Sequence, residues 1–238
     1  MLDKNDIIKD ISKRTDGDIY FGVVGAVRTG KSTFIKRMME LVVLPNMVDE
    51  YERERAKDEL PQSAAGRTIM TTEPKFIPNQ AVTIHIDEGL DVNVRLVDSV
   101  GYAVSGAKGF EDENGPRMIH TPWYEDPIPF HDAAEIGTRK VIQEHSTIGI
   151  VVTTDGTIGE IPRSDFVDAE EKVINELKEV GKPFIVIINS VRPTDQETEL
   201  LRQQLAEEHD VPVLCINVEN MNEHDVYNVL RESLFEFP

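Results

Sequence analysis

The chain has little cysteine, little positive charge and no long apolar run. Cys215 is the one cysteine in 238 residues, so no disulfide can form within the chain. It lies in an apolar stretch and reads as a buried core thiol in a reducing compartment. Lysine and arginine total 25 against 44 aspartates and glutamates, a formal net charge of -19 with a pI near 4.7. That balance excludes a protein that tracks nucleic-acid backbones, and it excludes direct docking on anionic lipid through a basic surface. No apolar run approaches the roughly 18–20 residues that span a bilayer. Met1 to Asp6 is charged and lacks the apolar stretch of a signal peptide. The expectation is a soluble cytoplasmic protein.

What is present is a core. Apolar residues make up 39 % of a 26.8 kDa chain, enough for a folded domain without metal or disulfide support. The acid is unevenly spread. Residues 1–60 hold 11 basic and 12 acidic side chains, whereas residues 61–238 hold 14 and 32. The first quarter can therefore carry a local positive face.

Hydrophobic periodicity predicts helices over 5–15, 31–44, 51–60, 132–144, 165–180, 196–208 and 222–234. Pro45-Asn46 is expected to end the second of these. Strand-length apolar runs occupy 19–24, 147–154, 183–188 and 212–217. Residues 80–86 and 91–97 alternate around Asp87-Glu88-Gly89, which predicts an antiparallel hairpin. Strand and helix alternate through the second half, the pattern of a mainly parallel sheet covered on both faces. Residues 101–131 carry four prolines, four glycines and no periodicity. A connection that long needs a function. The reading is one domain over 1–238 without linker or repeat, and one module of a longer protein.

Gly25-Ala26-Val27-Arg28-Thr29-Gly30-Lys31-Ser32 matches the G-x-x-x-x-G-K-[ST] phosphate loop, with a strand before it and a helix after it. Each part has a physical task. Gly25 and Gly30 allow backbone conformations that side chains block. Successive N–H groups and the helix N-terminus hold the β-phosphate. Lys31 bridges β- and γ-oxygens and Ser32 offers a hydroxyl to Mg²⁺; Thr33, next in the chain, is counted with them among the nucleotide-binding residues. Asp98 ends the strand Val94–Val97 and is a second Mg²⁺ ligand candidate. Gly101 can bring its N–H to the γ-phosphate. The hairpin between the two motifs favours the GTPase-like branch of phosphate-loop folds. The expected fold is a three-layer α/β/α P-loop NTPase, with a mainly parallel sheet and one antiparallel hairpin strand.

That branch needs a threonine loop over metal and γ-phosphate. Thr68, Thr71 and Thr72 lie where it belongs, in a switch region over 46–75; Thr71 and Thr72 are favoured, with Thr72 at the metal. After strand 183–188 a guanine reader would carry Asn-Lys-x-Asp. Here the segment is Asn189-Ser190-Val191-Arg192. Asn189 is kept, but Arg192 has no acceptor for guanine N1 and its amine. Losing such a pair costs roughly 1–3 kcal/mol, which points to ATP. Tyr102 stands where a water-orienting glutamine is often found and is a poor base. Arg28 either places a fixed charge near the α- and γ-oxygens or faces solvent or an acidic neighbour. Trp123-Tyr124 is either a docking patch or a loop anchor. Glu170-Glu171 and Glu207-Glu208-His209-Asp210 read as solvated helix faces. The histidines have no metal-ligand spacing.

These residues, with Leu60–Gly66, Thr71–Phe76, Asp112–Met118 and Thr121–Tyr124, resemble the ATPase-domain family of stage IV sporulation protein A over essentially the whole chain. That family is of translation-factor type. The resemblance implies Mg²⁺-dependent ATP hydrolysis that drives self-assembly into a homopolymer, the basement layer of the spore coat around the forespore, on the mother-cell side. It implies recruitment by a small amphipathic membrane-bound peptide, attachment of other coat proteins, and only indirect contact with membrane. It carries the phosphate-loop lysine to Lys31, the Mg²⁺ aspartate to Asp98 and the sensor threonines to Thr71 and Thr72. It also implies further middle and C-terminal domains outside this chain. A switch that binds effectors without polymerising, and a scaffold with an unhydrolysed nucleotide, stay open as alternatives.

Overall fold

The computed structural model describes residues 18–47, 49–61, 73–87, 90–105, 107, 109–112 and 115–236. The expected helix over 5–15, the Asp87-Glu88-Gly89 turn beyond Asp87, and Thr68, Thr71 and Thr72 lie outside them.

Six strands form one sheet: β1 (Asp18–Val24), β2 (Lys75–Asp87), β3 (Leu90–Asp98), β8 (Ile148–Thr154), β9 (Phe184–Asn189) and β10 (Val213–Ile216). Their spatial order is β10-β9-β8-β1-β3-β2. Every pair is parallel except the edge pair β2–β3, which is antiparallel, as the hairpin signal predicts. β8 and β9 are buried on both faces, which is why they read as continuous apolar runs.

Side-chain alternation sorts the strands between two cores. Ile19, Phe21, Val23, Ile150, Val152 and Ile187 pack under α1 (Lys31–Met38) and α6 (Glu223–Phe235). Val24, Val97, Val151, Val186 and Ile188 face α3 (Phe130–Lys140) and α4 (Val167–Val180), with Leu205 of α5 (Gln196–His209). The result is the three-layer α/β/α arrangement. The charged helix α2 (Glu50–Asp58) buries only Ala56.

Several expectations fail locally. Pro45 does not end the helix at Leu44. The chain widens into a π-type stretch at Met39–Val43 and makes one more turn, Leu44–Asn46, that contains the proline. Near the start of that new turn a missing N–H costs little. The aperiodic 101–131 segment holds two small ladders, β4 (Glu111–Asp112) with β5 (Gly115–Pro116), and β6 (Met118–Thr121) with β7 (Tyr124–Pro129). Strands this short and this exposed leave no alternation to read. Phe110, edge-on at 5.3 Å, and the Arg117 guanidinium, at 4.7 Å, both pack on the Phe130 ring.

Glu170 is not on a solvated face. It is 2 % exposed and takes a two-pronged ion pair from Arg163, at 2.9 and 2.5 Å. His209 is buried as well, while Glu171, Glu207 and Glu208 are exposed. Cys215 is half-buried, and burial pushes its thiol up to about 11. Trp123 lies half-buried below the Lys140 ammonium, while Tyr124 is exposed.

Candidate functional site

The carboxyl ends of β1 and β3 lie side by side at the middle of the sheet, with Val23 opposite Asp98. Open α/β sheets bind ligands outside such strand ends. The turn after β1 shows why it is rich in glycine. Gly25 has φ +139°, and a Cβ there would come 2.3 Å from the Val152 carbonyl oxygen. Gly30 has φ +95°, and its Cβ would meet Asn189 Nδ2 at 2.4 Å. Arg28 is also left-handed, at φ 63°, with its side chain exposed. Left-handed turns of this kind build anion-binding nests. Gly30, the N-cap residue of α1, makes no side-chain cap bond, and no acidic residue occupies the first turn. Its N-terminal N–H groups and the positive end of its dipole are therefore offered to an anion.

Lys31 is buried, and Nζ donates to the Ala26 carbonyl oxygen at 2.6 Å. Burial pulls its ammonium down to about 8, against the opposing pull of Asp98. Thr29 Oγ1 donates to the same carbonyl. The Ser32 hydroxyl donates to Asp98 Oδ2 at 2.9 Å. Burial raises the Asp98 carboxyl above the ordinary carboxylate value, although the nearby Lys31 charge and the Ser32 bond oppose it. Asp98 Oδ1 is out of solvent and has no hydrogen-bond partner among the described residues. A hydroxyl beside a buried, half-satisfied carboxylate suits a hard cation that takes oxygen ligands.

Beyond β3 the chain turns back onto the phosphate loop. Ser99 Oγ donates to the Val23 carbonyl. Tyr102 N–H donates to the Gly25 carbonyl at 3.1 Å, and Val27 N–H donates to the Tyr102 carbonyl at 2.8 Å. Gly101, at φ +95°, donates its N–H to Thr138 Oγ1 at 3.1 Å. The buried Tyr102 ring points away from the loop, its hydroxyl donating to Glu176 of α4. Arg139 holds the other Glu176 oxygen at 3.1 Å. Burial and the Glu176 carboxylate push the Tyr102 phenol well above its ordinary value.

A family model described as "Stage IV sporulation protein A, ATPase domain" matches residues 2–238. The chain belongs to that family. It is 75 % identical to stage IV sporulation protein A of Bacillus anthracis over 237 residues, and 73 % identical to that of Bacillus subtilis (strain 168). The Clostridioides difficile (strain 630) protein of the same name is 52 % identical over 234 residues. The matches take in 98–100 % of this chain and 48 % of each relative, so the chain spans about half the length of the curated relatives it matches. Among solved structures, the crystal structure of a mutation variant of SsGBP aligns with a TM-score of 0.51 at 13 % identity. It covers 98 % of this chain and 61 % of that one, a likeness of fold alone.

In this member of the stage IV sporulation protein A family, the residues expected at the site fall into three groups. Gly25, Ala26, Val27, Arg28, Thr29, Gly30, Lys31, Ser32, Asp98 and Gly101 come together around the loop, with Thr33 on the first turn of α1. Asn189 joins them from β9: Nδ2 donates to the Thr29 carbonyl at 3.0 Å, and Oδ1 accepts from Val218 N–H at 3.1 Å. Arg192 turns to Asp195 at 3.2 Å and is exposed. Thr71 and Thr72 lie outside the described residues. Thr138 and Glu176 were not legible in the sequence, since a helical threonine and a helical glutamate carry no motif. Asp155, just after β8, is another. Burial pulls its carboxyl up, but hydrogen bonds from Ser190, Thr157 and Thr198 outweigh that and hold it below the ordinary value. The Thr198 hydroxyl donates to it at 2.9 Å and so ties α5 to the end of β8.

Proposed function

We propose that this domain binds ATP and hydrolyses it to ADP and phosphate, with Mg²⁺ as cofactor. The observation that carries the reading is the constellation of Lys31, Ser32 and Asp98 at the mouth of the phosphate loop. Lys31 leaves the Ala26 carbonyl to hold β- and γ-oxygens, and its desolvated charge acts strongly there. The first N–H groups of α1 cradle the β-phosphate. Asp98 and Ser32, with Thr72 from the switch region over 46–75, would hold Mg²⁺, which when bound neutralises charge on the phosphate oxygens. Thr71, and the Gly101 N–H once it leaves Thr138, would meet the γ-phosphate, and Arg28 adds a positive charge at the loop. The base side, Asn189 to Arg192, lacks an acceptor for guanine and favours ATP.

In the longer protein, this cycle drives self-assembly into a homopolymer, the basement layer of the spore coat. The polymer forms at the forespore surface in the mother-cell cytoplasm. A small amphipathic membrane-bound peptide and other coat proteins are the partners, and contact with membrane is indirect. Residues 1–238 form a single domain, and the 101–131 segment is the second switch. A scaffold that keeps its nucleotide unhydrolysed draws on one observation, the burial of Tyr102 away from the loop, which takes that side chain out of reach of an attacking water.

Phosphate release from ATP and GTP at equal concentration, with Mg²⁺, tests the reading. ATP turnover that is lost in Lys31→Ala supports it. A GTP preference of about tenfold or more would sink the ATP assignment, and bound nucleotide without phosphate release would favour the scaffold.

A further inference from the structure

The N–H that the proposed reaction needs at the γ-phosphate already has a partner. Gly101 N–H donates to Thr138 Oγ1 at 3.1 Å. Thr138 is fully buried on α3, and its hydroxyl proton is committed to the Ala134 carbonyl at 2.8 Å. With the proton so fixed, an oxygen lone pair is left to face Gly101. The Gly101 backbone itself sits in the mouth of the loop. A Cβ on it would lie 2.4 Å from the Gly25 carbonyl oxygen and 2.5 Å from Lys31 Nζ. Its N–H therefore points toward α3 while its Cα faces the lysine. The next residue is held by two backbone bonds to Gly25 and Val27, and by the Tyr102–Glu176 bond.

We propose that Thr138 is a positioning residue that competes with the γ-phosphate for the Gly101 N–H, and so sets how strongly the domain prefers a triphosphate over a diphosphate. The proposal rests on the nucleotide-binding reading above. For the N–H to meet a phosphate held by Lys31, the peptide between Val100 and Gly101 must turn over and leave Thr138. Tyr102, anchored in α4, is the pivot. ADP carries no γ-phosphate and makes no such demand. The population that keeps the Thr138 bond thus lowers apparent affinity for the triphosphate alone.

Titration calorimetry with AMP-PNP and with ADP, both with Mg²⁺, tests this on the unaltered chain, Thr138→Val and Thr138→Ser. Valine keeps the volume and removes the acceptor; serine keeps the acceptor. The valine form is expected to raise AMP-PNP affinity relative to ADP by about three- to tenfold, the worth of one neutral hydrogen bond. The serine form should stay within about twofold of the unaltered ratio. An unchanged ratio in the valine form, or equal weakening of both ligands, overturns the latch and leaves nucleotide binding standing. Failure of the unaltered chain to bind either ligand overturns the nucleotide reading and the latch together. A second readout needs no variant. The Thr138 methyl resonance of the unaltered chain should move with AMP-PNP and stay with ADP, and a methyl indifferent to AMP-PNP overturns the proposal.

Discussion

Ser32 and Asp98, 66 positions apart in sequence, meet at 2.9 Å through the serine hydroxyl and one carboxylate oxygen, while the other oxygen is buried without a partner among the described residues. The pair joins the first turn of α1 to the last residue of β3. Asp98→Asn keeps the volume and removes the charge. We expect nucleotide affinity to lose most of its dependence on Mg²⁺, a drop of about tenfold or more in the Mg²⁺-supported part. Titrating ADP with and without Mg²⁺ checks it; an undiminished Mg²⁺ effect would show that the metal is held elsewhere.

Lys31 is buried as a cation at a cost to the fold. Its folded value of about 8 lies below the ordinary 10.5. Between those values the unfolded chain binds more protons, so stability rises with pH there; below pH 8 the penalty is present in full. Lys31→Met should therefore stabilise the nucleotide-free chain at pH 7 by about 1–3 kcal/mol. That corresponds to roughly 2–10 °C in Tm. The gain should shrink toward pH 10. Thermal unfolding of both forms at pH 7 and pH 10 measures it, and a gain that does not shrink would exclude the charge as its cause.

Asn189 ties the phosphate loop to the turn after β10 with its two side-chain bonds. Asn189→Ala leaves the buried Val218 N–H without an acceptor. A loss of about 1–3 kcal/mol in urea unfolding is expected. Nucleotide affinity should fall with it, because Thr29 and Gly30 lose their brace. A variant as stable as the parent would remove Asn189 from the supports of the loop.

Arg163 and Glu170 form a pair whose carboxylate is almost wholly buried. Arg163→Met strands that charge, whereas Arg163→Met with Glu170→Leu removes both. The single change should cost about 3–5 kcal/mol and the double change markedly less. Chemical denaturation of the two variants separates a stranded charge from lost packing, and equal losses would argue for packing.

The parts legible in the sequence were those whose cause is local. The phosphate loop is one continuous segment whose glycines answer to backbone geometry, and β8 and β9 are apolar runs because both their faces are covered. The β2–β3 hairpin was readable from its alternation, although β2 begins earlier, at Lys75, where Phe76 and Ile77 pair with Val97 and Leu96. The ladders within 111–129 escaped because strands of two to six residues, mostly exposed, carry no period. Glu170 was misread because one charged residue on a helix looks solvated until its partner is known. Arg163 lies seven positions before it and outside the helix.

By itself the sequence determined the α/β class, the phosphate loop, the terminal Asp98 and the missing guanine acceptor, because each is written within a few consecutive residues. Only the tertiary structure decided which oxygen of Asp98 meets Ser32, where the Tyr102 ring points, and that Thr138 holds the Gly101 N–H. Those outcomes depend on how α3 and α4 pack against the sheet. Hydrogen bonds across 37 and 74 positions follow from that packing and leave no pattern in the chain.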